Sequence, residues 1–136
     1  MVEKHLFIDP SGKISWILLD REPDFGPVYQ GSSALDLMQI RDWICCSWLE
    51  QVRTVLPDIV LVIDESGKIK DPPQPHNELA SRLYYAYHIG ADDICGPAFV
   101  MALRPSGPYG EHDWQPLNDK DLACLSLYLG VQLSDK

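Results

Sequence analysis

The sequence predicts an α+β domain, and three observations carry that prediction. Short apolar runs rich in β-branched residues, Ile59–Ile63 foremost, have the composition of sheet strands. Two Asp-X-Ser-Gly turns, at Asp9 and Asp64, sit between apolar arms as hairpin connections do. Three stretches beginning near Ser33, Asn77 and Asn118 combine a capping residue with apolar positions three and four apart. One domain over 1–136, a mainly antiparallel sheet of two hairpins plus further strands packed with about three helices, accommodates all of them.

The N-terminal hairpin spans residues 5–20. His5–Ile8 is one arm, Lys13–Leu19 the other, and Asp9, Pro10 and Gly12 occupy positions that a type I turn prefers. A loop over Arg21–Gly31, with Pro23, Gly26 and Pro27, leads to Ser33-Ala34-Leu35-Asp36, a capping-box pattern with Asp in place of Glu. A helix is expected from there to about Cys45 or Cys46, with Leu37, Met38, Ile40 and Ile44 as its stripe. Trp48–Leu56 has helical spacing and reads as a strand only through the resemblance given below. Pro57 ends that element, and Ile59–Ile63 is expected to be a buried central strand. Ile63–Ile69 repeats Ile8–Ile14 at six of seven positions, which two similar turns explain more simply than duplication.

Three prolines make Asp71–Asn77 a semi-rigid loop. Asn77 should cap a helix from Glu78 to about His88, with Leu79, Leu83 and Tyr87 as its stripe and Gly90 as its stop. Ala98–Leu103 reads as a strand, and Arg104–Pro116, with Pro105, Gly107, Pro108 and Gly110, as a long irregular loop. Asn118–Asp121 opens a last helix whose core stripe is Leu122, Leu125, Tyr128 and Leu129, stopped by Gly130.

Composition excludes several functional classes. The chain has 11 Lys+Arg against 20 Asp+Glu, a formal net charge of −9, and its basic residues are scattered singly. Direct nucleic-acid binding needs clustered cations and is not expected. No apolar run approaches the ~20 residues of a membrane span, and Met1–Phe7 lacks a signal-peptide core, so a cytoplasmic location is expected. Cys45, Cys46, Cys95 and Cys124 lack C-x-x-C spacing and are expected to be reduced, buried small residues. The four histidines show no ligand spacing, so neither metal nor cofactor is expected.

Some residues still point to chemistry. The Gly-Lys pairs at 12–13 and 67–68 lack the remainder of a phosphate loop and read as turns. Asp64 and Glu65 are paired carboxylates of the kind that hold metals or move protons, although an Asp before Ser-Gly ordinarily bonds its own backbone. The segment Pro72–Arg82 stands out most: a proline-fixed loop entering a capped helix presents N–H groups and a helix dipole. There His76, Asn77 and Arg82 form a candidate site for a small anionic or nucleotide-like ligand. Tyr84, on the same helix as Tyr85 and Tyr87, joins it as an exposed-aromatic candidate, with Tyr109 and Trp114 further along. If Asn77 only caps, Asn77→Asp is expected to be neutral or stabilising.

The order of Ile44–Glu50, Leu61–Ile69, Pro73 with Asn77–Tyr84, and Asp93–Ala98 resembles the domain of unknown function 3846 family over about residues 35–130. In that family a small-residue corner leads from a helix into a strand, followed by an Asp-Glu-x-Gly-Lys hairpin, a Pro-x-Asn loop and an Ile-x-Gly strand start. Here Cys45-Cys46 replaces the glycine corner, Pro75-His76 lengthens the Pro-to-Asn spacing, and Arg104–Pro116 is additional. The resemblance implies a phage, plasmid or conjugative-element accessory protein of the bacterial cytoplasm and supplies no mechanism. The expected function is therefore a non-enzymatic binding module for a host protein or small anionic ligand. The alternatives are a metal-assisted hydrolase built on Asp64, Glu65 and His76, and an acidic mimic of DNA.

Overall fold

The chain begins on the expected hairpin. In the computed structural model, which describes residues 2–23, 33–46, 48–66, 74–85, 94–106 and 111–133, β1 (Val2–Ile8) and β2 (Ile14–Pro23) pair in register from Val2↔Asp20 to Ile8↔Ile14. Asp9 builds the turn between them: its carboxylate accepts from the Ser11 and Lys13 N–H groups and the Ser11 hydroxyl, and Gly12 follows at φ +92°. The remaining elements are β3 (Ser33–Leu35), α1 (Leu37–Ile44), β4 (Leu49–Arg53), β5 (Ile59–Asp64), α2 (Glu78–Tyr85), β6 (Ala98–Ser106), β7 (Glu111–Gln115) and α3 (Asp119–Leu129).

All strand pairings are antiparallel, and the sheet runs β3-β2-β1-β6-β5-β4 with β7 as a further partner of β6. The molecule is thus α+β. β6 is shared along its length: Ala98–Val100 pair with β1, and Ala102–Ser106 pair with β7.

Alternation along the strands fills two cores. Leu6, Ile8, Ile59, Leu61, Ile63, Val100 and Ala102 point to one face, under Ala80 and Leu83 of α2 and Leu125 and Leu129 of α3. Phe7, Ile17, Leu19, Val60, Val62, Phe99 and Met101 point to the other, under Ile40 and Ile44 of α1. β5 is buried at all six positions because it has helices above and below and β4 and β6 on its flanks. That is the physical origin of its unbroken apolar run.

Several expectations are corrected. α1 starts after Asp36, whose side chain accepts from the Met38 and Gln39 N–H groups, while Ser33–Leu35 pairs with Arg21–Pro23. The three-residue shift leaves Leu37 and Met38 exposed and only Ile40 and Ile44 buried. Arg104–Pro116 is a hairpin arm pair, not an irregular loop. Pro105 is tolerated because Leu103, two residues earlier, donates its N–H to Asp58 O at 2.7 Å, away from β7; the missing N–H of Pro105 lies on that same edge. Trp48–Leu56 resolves as a strand over Leu49–Arg53.

The cysteines are not buried: Cys45 and Cys124 are exposed, Cys46 and Cys95 half-buried. Tyr128 is also outside the core, with its hydroxyl donating to Arg82 O at 3.1 Å and tying α3 to α2. The expected cap at Asn118 forms, as one half of a capping box with Asp121, and Arg104 donates to Asp121 at 2.5 Å, anchoring α3 to the sheet. The return arm Gly67–Ile69, Pro72, Pro73, Tyr87, His88, Gly90 and Tyr109 lie outside the described residues. Among the described residues, no helix is long and apolar enough to cross a membrane.

Candidate functional site

The polar residues that stand out in the sequence gather at one end of the sheet, where β1 and β5 finish and β6 begins. Asn77 is the centre of that corner and is 0% exposed. Its side-chain oxygen accepts from Ala80 N at 3.1 Å, as a helix cap does. Its amide nitrogen donates to Ile8 O at 3.0 Å and Gly96 O at 2.9 Å, and its backbone N–H donates to Ile94 O at 2.8 Å. Each of these polar groups is engaged by protein. Its amide is what joins α2, β1 and the 94–96 segment.

Asp64 is likewise buried, 3% exposed. It accepts from the N–H and hydroxyl of Ser66 at 2.9 and 3.1 Å, repeating the role of Asp9, and from Gln74 Nε2 at 3.1 Å. Gln74 in turn lies against Gly96, which sits at φ +87°, and a Cβ there would stand 2.8 Å from Gln74 Oε1. Glu65 is exposed. Arg82, exposed, pairs with Glu78 Oε1 at 3.5 Å one turn back, and Tyr84 packs half-buried on the core beneath α2 and α3. Among the described residues no three His, Cys, Asp or Glu side chains are placed to hold a metal ion, so Asp64, Glu65 and His76 are not brought together as a metal cluster.

One arrangement at this corner imitates a catalytic relay. His76 Nε2 is 3.3 Å from Ser81 Oγ, and its Nδ1 is 3.9 Å from Glu78 Oε2, the order of nucleophile, base and orienting acid. Ser81, however, is 2% exposed, and its hydroxyl accepts from Ile94 N at 2.9 Å. The hydroxyl fastens the 94 segment to α2 and does not face a substrate.

The opposite end of the sheet is different. A cavity of about 570 Å³ opens beside the β4–β5 connection, lined by Arg53, Thr54, Asp58, Val60 and neighbouring side chains. A second, of about 360 Å³, is lined by Leu35, Leu37, Asp113 and Trp114. Gln51, Leu103 and His112 line both, so the two form one groove across β4, β6 and β7 beside the first turn of α1. Volumes of this size suit small ligands. The Trp114 indole N–H donates to Gln51 Oε1 at 2.6 Å, fixing the ring on the wall of the second compartment.

A buried charge network supports the β7 wall. Arg21, 5% exposed on β2, donates to Glu3 Oε2 at 2.9 Å, to the Asp113 carboxylate and to Trp114 O. Burial opposes the Arg21 charge, but Glu3 and Asp113 outweigh it and hold the guanidinium above its ordinary value. His5 Nε2 lies 3.2 Å from Glu3 Oε1, while its buried Nδ1 has no hydrogen-bond partner among the described residues. Burial pushes His5 below its ordinary value of 6.5 despite the Glu3 carboxylate.

Arg21, Arg82 and Arg104 pair with carboxylates, whereas the exposed Arg53 and His112 side chains have no ion pair or hydrogen bond among the described residues. The buried Nε of Arg41 also lacks a hydrogen-bond partner among them, but Arg41 lines neither compartment of the groove. Neither Arg53 nor His112 lies in a sequence motif, and only a fold that brings β4 and β7 to one cavity places both on its lining. Trp114 stands out in the sequence as an aromatic; its partner Gln51, 63 positions away, does not. Comparison with known proteins adds nothing to this geometry: no family model, curated protein or solved structure matches the chain.

Proposed function

We propose that this protein is a non-enzymatic binding module and that its ligand surface is the groove between β4 and β7, not the Pro72–Arg82 segment. The observation that carries this reading is the contrast in hydrogen bonding: Asn77, Asp64 and Ser81 are engaged internally, while Arg53 and His112 line the cavity of about 570 Å³ without partners among the described residues. A net charge of −9 makes an arginine left without a carboxylate partner more telling. The order and spacing of segments over residues 35–130, which resemble the domain of unknown function 3846 family, support an accessory role on a phage, plasmid or conjugative element. A small anionic ligand fits the groove better than a host protein, because its two compartments are concave and of ligand size.

The test is an amide chemical-shift survey of the intact protein against a panel of small neutral and anionic compounds. Saturable shifts are expected at Gln51, Arg53, Leu103, His112 and Trp114. Shifts confined to His76–Arg82, or none with any compound, would refute the groove as the ligand surface.

A further inference from the structure

The groove is asymmetric, and its asymmetry specifies a ligand class; this step rests on the preceding reading that the groove is the binding surface. One compartment is lined by Leu35, Leu37, Leu103 and Trp114, whose indole N–H is held by Gln51. A ring fixed in this way offers an apolar face without having to be ordered on binding. The adjoining compartment contributes Arg53, and His112 lines both.

The charge of the lining limits the anion. Arg53 presents a planar fork that matches a carboxylate in a bidentate manner. Among the described residues, no lysine and no glycine lines either compartment, the usual means of surrounding a phosphate. The Asp58 carboxylate also lies on the lining, and its repulsion rises with the charge of the ligand, whereas Asp113 is paired with Arg21. A single negative charge is therefore favoured over a dianion.

We propose that the groove binds an amphipathic monocarboxylate, with a flat or branched apolar body against Leu103 and Trp114 and its carboxylate at Arg53 and His112. Gln51 stands between the two compartments and sets the distance between body and head. Trp114 and Arg53 are thus the specificity-determining pair, one for the body and one for the charge.

The experiment titrates the intact protein with three probes, 2-naphthoate, 2-naphthamide and inorganic phosphate, following affinity calorimetrically and position by amide shifts. Naphthoate is expected to bind in the groove, naphthamide at least ten-fold more weakly, and phosphate without saturation. Arg53→Gln should weaken naphthoate at least ten-fold with an unchanged melting temperature. Trp114→Leu should weaken naphthoate and naphthamide alike, with folding checked by the amide spectrum. Equal binding of acid and amide, displacement of naphthoate by phosphate, or an Arg53→Gln variant that binds as the parent does would each overturn the proposal. If naphthoate fails while another compound shifts the groove amides, the ligand class is wrong and the groove reading survives. If no compound shifts them, both fall.

Discussion

The two ends of the sheet carry similar inventories of polar residues and use them in opposite ways. At the Asn77 end, donors and acceptors from residues as distant as Ile8 and Gly96 converge until the corner is closed. At the groove end, an arginine and a histidine line a cavity with no protein partner among the described residues. The difference teaches that a dense cluster of functional-looking residues in sequence can be a structural joint. What distinguishes a ligand surface is polar capacity left unused by the fold.

The strongest way to break the comparison is at Asn77. Asn77→Asp keeps the oxygen that caps α2 but sets a buried carboxylate against the Ile8 and Gly96 carbonyls, which lose their donors. A loss of about 3–5 kcal/mol is expected in denaturant unfolding, the cost of an uncompensated buried charge. This reverses the neutral effect expected of a simple cap; an unchanged midpoint would show that the corner is not closed as described.

Gly96→Ala is the next largest. The positive φ and the 2.8 Å approach to Gln74 Oε1 should together cost about 2 kcal/mol and displace the Gln74 amide from Asp64. A melting temperature equal to the parent's would contradict this packing.

His5 gives the comparison a pH dependence. Its value is lowered in the folded protein, so the unfolded chain binds the proton more readily. The contribution of neutral His5 is fully present above its unfolded value near 6.5 and is lost as pH falls below that toward the lowered folded value. Stability measured from pH 7 down to 5 should decline in the parent with a slope that His5→Gln reduces; identical slopes would mean that His5 is solvated. Because the Glu3–Arg21 pair couples His5 to Asp113, the decline should be accompanied by shifts at β7.

The smallest effect on stability belongs to Arg53. With no protein partner among the described residues, Arg53→Gln should change unfolding free energy by no more than about 0.5 kcal/mol. A larger loss would place Arg53 among the structural residues and remove the contrast between the two ends.

What could be seen in the sequence follows from the range of the interactions involved. The Asp9 turn, the Asn118 cap and the β5 run are set by neighbours within a few positions, and all three form. The hairpin of β6 and β7 was hidden because Pro105 looks like a breaker when the edge it faces is unknown. Asn77 could be recognised as a cap through Ala80, three residues on, but its other two bonds span 69 and 19 positions. The groove was invisible for the same reason, since Gln51 and Trp114 meet only through the sheet.

The position of β1 has a consequence for how the molecule is made. β1 lies between β2 and β6, yet its pairing Phe7↔Phe99 joins segments at opposite ends of the chain. On the ribosome the β1–β2 hairpin is complete at Pro23 and must wait until about 75 further residues, 98 − 23, have been synthesised before its second edge is covered. At about 5–20 residues per second that interval lasts several seconds. Such non-local closure places the chain among slowly folding topologies, and during the wait the inner edge of β1 is open to any extended strand nearby.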